Sequence, residues 1–131
     1  MSDWATRVYE AVDRKDTDAY VDFLAEDVWF RFANAEPLHG REAVREALYG
    51  FFAGMQSLSH DTHHEYRVDD TVILVADVTY TRLDGAQVTV PAVTIYELDG
   101  EVATRCQIFV DLAPLWAPSD SDAAVAGTTG A

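Results

Sequence analysis

The sequence predicts an α+β fold in which three helices cover one face of a strongly curved antiparallel sheet. Two observations carry that expectation. The apolar residues recur at helical spacing up to about Gln56 and then alternate with a period of two. Beyond that point Asp69-Asp70, Asp84-Gly85 and Asp99-Gly100 cut the chain into four long strand candidates joined by tight turns. Long strands joined so closely form a meander that curls, and a sheet curled under helices encloses a conical cavity, a default place for a ligand.

Taken in order, Ser2 or Asp3 caps a first helix whose Trp4, Val8, Tyr9 and Val12 fall on one side. It stops near Lys15, where Asp16 or Thr17 caps a second helix presenting Ala19, Tyr20, Phe23 and Leu24. Residues 28–34 (VWFRFAN) are β-branched and aromatic enough for a strand, and Glu36-Pro37 marks the turn after it. Gly40 precedes a third helix, REAVREALYGFFAGM, with Val44, Ala47, Leu48, Phe51 and Phe52 as its buried stripe. The strands that follow are expected over 58–68, 71–83, 87–98 and 102–112. One domain over residues 1–116 and a disordered tail of small residues over 117–131 complete the layout.

Composition narrows the partners. The 131 residues carry 9 Lys+Arg against 23 Asp+Glu, a formal net charge of −14, so nucleic acid and anionic membrane surfaces are both repelled. Apolar residues make up 49% and charged residues 24%, a globular balance. Cys106 is the only cysteine, which rules out an intrachain disulfide and a Cys-based zinc site. The N-terminus is polar and amphipathic rather than a signal peptide, and no apolar run approaches the ~20 residues a membrane span needs. A cytoplasmic, reduced protein is expected.

Three stretches together resemble a known family. KDTDAYVDFLAEDVWF is a helix leading through an acidic pair into a strand; PLHGREAVREAL sets His-Gly-Arg-Glu ahead of the third helix; VPAVTIYELDGEVATRCQIFVDLAPLW is a closing hairpin ending in an aspartate. In order and spacing they resemble the SnoaL-like branch of the NTF2-like superfamily, which also contains ketosteroid isomerases and limonene-epoxide hydrolases. The resemblance implies a cone-shaped fold, a pocket for a small hydrophobic molecule and a homodimer paired through the outer sheet face. It does not carry over the enzymes' residues. The isomerases' base, oxyanion tyrosine and protonated aspartate fall near Phe32, Val8 (with Tyr9 one residue away) and Thr94. The hydrolases' arginine and two following carboxylate positions fall near Asp77, Thr79 and Gln107. Polyketide cyclases of the group use a late-strand aspartate, and Asp111 lies in a comparable region.

By the same resemblance Arg105, Gln107, Phe109 and Asp111 on the last strand face the cavity, as do Asp77, Thr79 and Thr81, with Val90, Ala92, Thr94 and Tyr96 between them. The candidate catalytic residues are therefore Asp77 as base or acid, Arg105 as anion stabiliser and Asp111; a carboxylate in an apolar cavity has its pKa raised toward neutrality. Phe32, Leu48, His63, Thr79, Thr94, Gln107 and Phe109 are the candidate substrate-binding residues. Each has a plainer alternative: Asp77 and Arg105 as a charge-neutralising pair, Asp111 as a cap on free amides at the strand end. One of His60 or His63 stands at the cavity mouth. Tyr66, Tyr80, Ile108, Val78 and Val110 are expected on the convex face, forming the dimer surface. His60 and His64 share a strand face that His63 does not, so no metal site is expected, and with no glycine-rich phosphate loop no cofactor is implied. The expected activity is isomerisation, cyclisation or hydrolysis by acid/base chemistry; the alternative is a non-catalytic ligand-binding or dimerisation module.

Overall fold

The computed structural model describes residues 1–117, so the expected tail lies almost wholly outside the described residues. Helix α1 (Asp3–Asp13) begins where the Ser2 hydroxyl accepts from the Ala5 N–H at 3.3 Å, and it buries Trp4, Ala5, Val8, Tyr9 and Ala11. Asp16 then caps the short α2 (Thr17–Val21) by accepting from the Ala19 N–H. Strand β1 (Leu24–Phe32) and the two-residue β2 (Leu38–His39) form an antiparallel pair. Gly40, at φ +93°, turns the chain into α3 (Arg41–Ala53), a backbone that only glycine adopts without strain. The Arg41 guanidinium donates to the Leu24 carbonyl at 2.6 and 3.1 Å, fastening the start of α3 to β1.

The second half is the expected meander: β3 (Met55–Val68), β4 (Thr71–Arg82), β5 (Gln87–Asp99) and β6 (Val102–Val110), then a one-turn α4 (Ala113–Trp116) that buries Leu115. The six-stranded curved sheet runs β2-β1-β6-β5-β4-β3. It is mixed rather than wholly antiparallel, because β1 lies parallel to β6, pairing Phe30 with Cys106 and Phe32 with Ile108. Alternation along single strands carries no trace of that neighbour relation, which joins the two ends of the fold.

The helices cover the concave face, where Val72, Leu74, Ala76, Val78 and Tyr80 of β4 are all buried. Register extends this face across the sheet: Val78 is opposite Val90, Leu74 opposite Thr94, and Thr94 opposite Ile108. The orientation of β5 is therefore as expected, and those of β4 and β6 are reversed. Asp77, Thr79 and Thr81 point to the convex side, as do Arg105, Gln107 and Phe109; Tyr80, Val78, Ile108 and Val110 point inward. The physical reason lies in β4 itself. From Val72 to Tyr80 its even positions are all apolar while its odd ones include a carboxylate and hydroxyls, so the even set goes to the core.

Candidate functional site

Between the concave face and the helices lies a cavity of about 50 Å³. Phe30, Phe32, Leu48, Phe51, Phe52, Val78 and Tyr80 supply most of its walls. Its polar groups are few: the hydroxyls of Thr94, Tyr20, Tyr80 and Tyr96, and the imidazole of His60. The Tyr20 and Tyr96 hydroxyls lie 2.8 Å apart and are buried, with the Cys106 thiol 3.9 Å from Tyr20. Burial pushes both phenols well above their ordinary range, and pushes Tyr9, Tyr80 and the Cys106 thiol each up to about 12. Near neutral pH these groups are protonated, hydrogen-bond donors rather than bases.

The one imidazole on the cavity wall is that of His60. Its Nδ1 is 2.6 Å from Asp13 Oδ1, and its backbone N–H donates to Asp13 Oδ2 at 3.1 Å. One carboxylate at the end of α1 thus grips both the ring and the main chain of one β3 residue. The Tyr9 ring, one turn earlier on α1, stacks on the imidazole with centroids 4.1 Å apart and planes at 17°. With Nδ1–H donating to the Asp13 carboxylate, the ring's lone pair sits on Nε2. Among the described residues no protein group hydrogen-bonds Nε2.

Of the residues expected at the site, Phe32, Leu48 and Thr94 line the cavity. Asp77, Arg105 and Asp111 do not meet. Asp77 accepts from His63 Nε2 at 2.8 Å on the convex side, both side chains 43% exposed. A register shift between Thr62 and His64 leaves His63 without a cross-strand partner on β4. Arg105 lies over the Trp29 ring, 3.7 Å from its centroid, with Nε 3.8 Å from Glu97 Oε2. Thr79 shares a 2.9 Å contact with the Thr89 hydroxyl, Gln107 sits on the same outer face, and Phe109 is 48% exposed. Asp111 accepts from the Ala113 N–H at 3.0 Å, which is the capping role weighed against catalysis. Sequence reasoning passed over Asp13. The signal was present: Asp13 follows Tyr9 by four residues, so an acid stands on the buried stripe of an amphipathic helix.

The His63–Asp77 pair carries its own expected result. The hydrogen bond that His63 donates to Asp77, and then the charges of Asp77 and Asp61, raise the His63 pKa above the usual 6.5. A raised folded-state pKa stabilises the fold below the unfolded value near 6.5 and loses that contribution as pH rises through the folded value. In a proton NMR titration His63 is expected to titrate above 6.5, and Asp77→Asn to bring it back; an unmoved midpoint in the variant removes the pair as the cause.

Among the described residues no three His, Cys, Asp or Glu side chains gather to hold a metal ion, and no helix is long and apolar enough to cross a membrane. Comparison with known proteins places this geometry. No curated protein matches the sequence. Among solved structures, an NTF2-like protein from Burkholderia pseudomallei is similar, with TM-score 0.79 and 16% identity, covering 89% of this chain and 100% of the other. A protein of ketosteroid isomerase-like fold from Catenulispora acidiphila, solved with trimethylamine, gives TM-score 0.80 at 19% identity over 90% of this chain and 99% of its own. A candidate SnoaL-like polyketide cyclase from Shewanella denitrificans gives 0.76 at 13% identity, covering 86% and 90%. At such identities the likeness is one of fold. The sequence itself matches the SnoaL-like domain across residues 5–105, most of the elements described above, and it is to that family that the chain belongs.

Proposed function

We propose that the chain binds a small, mostly apolar carbonyl compound in the cavity and moves a proton on it, with His60 as the base and Asp13 holding its ring. The observation that supports this reading best is the Asp13–His60 contact at the edge of an otherwise apolar space. His60 Nε2 takes a proton from the carbon beside the carbonyl, and the C–H electrons move toward the oxygen, giving an enolate. A hydroxyl of Thr94 or Tyr96 donates to that oxygen, and the Asp13 carboxylate stabilises the imidazolium. Return of the proton to another carbon completes an isomerisation; attack of the enolate carbon on a second carbonyl, whose oxygen takes the electron pair and then the proton held by the imidazolium, completes a cyclisation. Neither needs a cofactor, and a cytoplasmic setting suits the single reduced thiol.

Deuterium uptake tests this directly. A panel of small cyclic ketones and diketones in D2O, followed by proton NMR, is expected to exchange faster with the protein than in buffer, and to lose the acceleration with His60→Gln. The small cavity favours a second reading, a non-catalytic binder. Ligand shifts in the NMR spectrum of the protein with no exchange in any panel member identify that case.

We further propose a homodimer through the convex face. There Ile73, Val75, Val93 and Ile95 are half-buried, with Phe109 and Tyr66 at 48% and 52% exposure. Sedimentation at micromolar concentration is expected to give twice the 14.5 kDa chain mass, and Phe109→Asp to give the single chain. A wild-type protein that sediments as one chain removes the dimer.

A further inference from the structure

A second apolar chamber adjoins the cavity. Its volume is about 230 Å³, and it sits between the β1–β2 pair and α3, edged by Ala35, Glu36, Leu38 and Ala47. Phe30, Phe32, Leu48 and Phe51 line both spaces and so form the partition between them. Phe32 and Phe51 meet there edge to face, centroids 5.1 Å apart, and both rings are only half-buried. The inner cavity, at about 50 Å³, has room for a few non-hydrogen atoms. Ordinary ligand pockets begin near ~300 Å³. A molecule that reaches His60 therefore has to place the rest of its body elsewhere, and the space on the other side of the Phe32–Phe51 edge shares that wall, is apolar and is larger.

We propose that this outer chamber is a subsite for the uncharged, apolar part of the ligand. The ligand is then a neutral molecule in two parts: a compact carbonyl end beside His60, and an aromatic or alicyclic body packed on Leu38, Ala47 and the rings of Phe32 and Phe51. Charge supports the neutral body. The one ionisable residue of the chamber is the exposed Glu36, and the chain as a whole carries −14, so an anionic body is repelled. Identification of the head rests on the proton-transfer reading; the subsite for the body does not.

Two fluorescent probes with the same rings separate the cases. Neutral N-phenyl-1-naphthylamine and its anionic counterpart 1-anilinonaphthalene-8-sulfonate are titrated in 1 M NaCl, where the Debye length falls to about 3 Å and long-range repulsion is screened. The neutral probe is expected to bind on the order of tenfold more tightly. Ala47→Trp, which fills the outer chamber from α3 at a position that is not itself part of the inner lining, is expected to weaken it by about tenfold or more at unchanged melting temperature. His60→Gln is expected to leave probe affinity within about twofold, so failure of the acid/base reading shows in the exchange assay and not here. Equal affinity for the two probes, or an Ala47→Trp protein that binds the neutral probe like the wild type, overturns the subsite. An Ala47→Trp protein with altered sedimentation and unchanged probe binding puts a second copy on the groove, and overturns it as well.

Discussion

Asp13→Asn is expected to slow deuterium exchange by roughly 10²- to 10⁴-fold while leaving the chain folded. The side chain is nearly isosteric, but it removes the negative charge that stabilises the imidazolium. It also allows the amide NH2 to donate to Nδ1, which moves the ring proton to Nε2 and leaves no lone pair facing the substrate. On the proposed reading Asp13 acts through the ring of His60 as a positioning residue, and the loss belongs in kcat with KM nearly constant. Its carboxylate is 30% exposed, so the accompanying stability cost is on the order of 1 kcal/mol, read from thermal melting. A variant that exchanges at the wild-type rate, while His60→Gln does not, strips Asp13 of this role.

The largest stability effect is expected from Phe30→Ala. Phe30 is 2% exposed, stands on β1 opposite both Leu38 and Cys106, and contributes to the partition between the two chambers. Truncation of such a ring costs about 3–5 kcal/mol, because the neighbouring strands cannot close on the space it leaves. Against a total stability of about 5–15 kcal/mol that is a large share, and urea denaturation is expected to show the midpoint falling at constant slope. Thr79→Ala, on the convex face of the same sheet, is expected to cost less than about 1 kcal/mol. Equal losses at the two positions contradict the assignment of faces.

That assignment is where sequence and structure part. The meander is legible because its breaks are chemical: Gly85 and Gly100 adopt positive φ at φ +86° and +65°, and the aspartate ahead of each favours a turn. The start of α3 is legible for the same reason at Gly40. Which face of each strand meets the helices is a different kind of question. On β4 the unbroken run from Val72 to Ala76 blurs the alternation, yet the residues beyond it resolve it, since Val78 and Tyr80 are apolar where Asp77, Thr79 and Thr81 are not. A resemblance to enzymes with polar pockets draws those polar residues inward, and the energy of burying them sends them out. Of the ten residues expected at the site, Phe32, Leu48 and Thr94 line the cavity, where the resemblance puts them. The Asp13–His60 pair joins a helix to a strand far along the chain, a contact that local spacing does not encode.

The parallel seam between β1 and β6 ties the order of folding to the order of synthesis. On the ribosome β3, β4 and β5 emerge and can pair as successive hairpins, while β1 and β2 wait for a neighbour that is made last. Until residues 102–110 are released, the open edge of β5 and the apolar flank of β1 remain unpaired, the condition in which edge strands associate with the wrong chain. Closing that seam brings together residues distant in sequence, and non-local pairing of this kind bears a loop-closure cost that local hairpins do not. A protein of this design is most exposed to aggregation in the interval just before its final strand arrives.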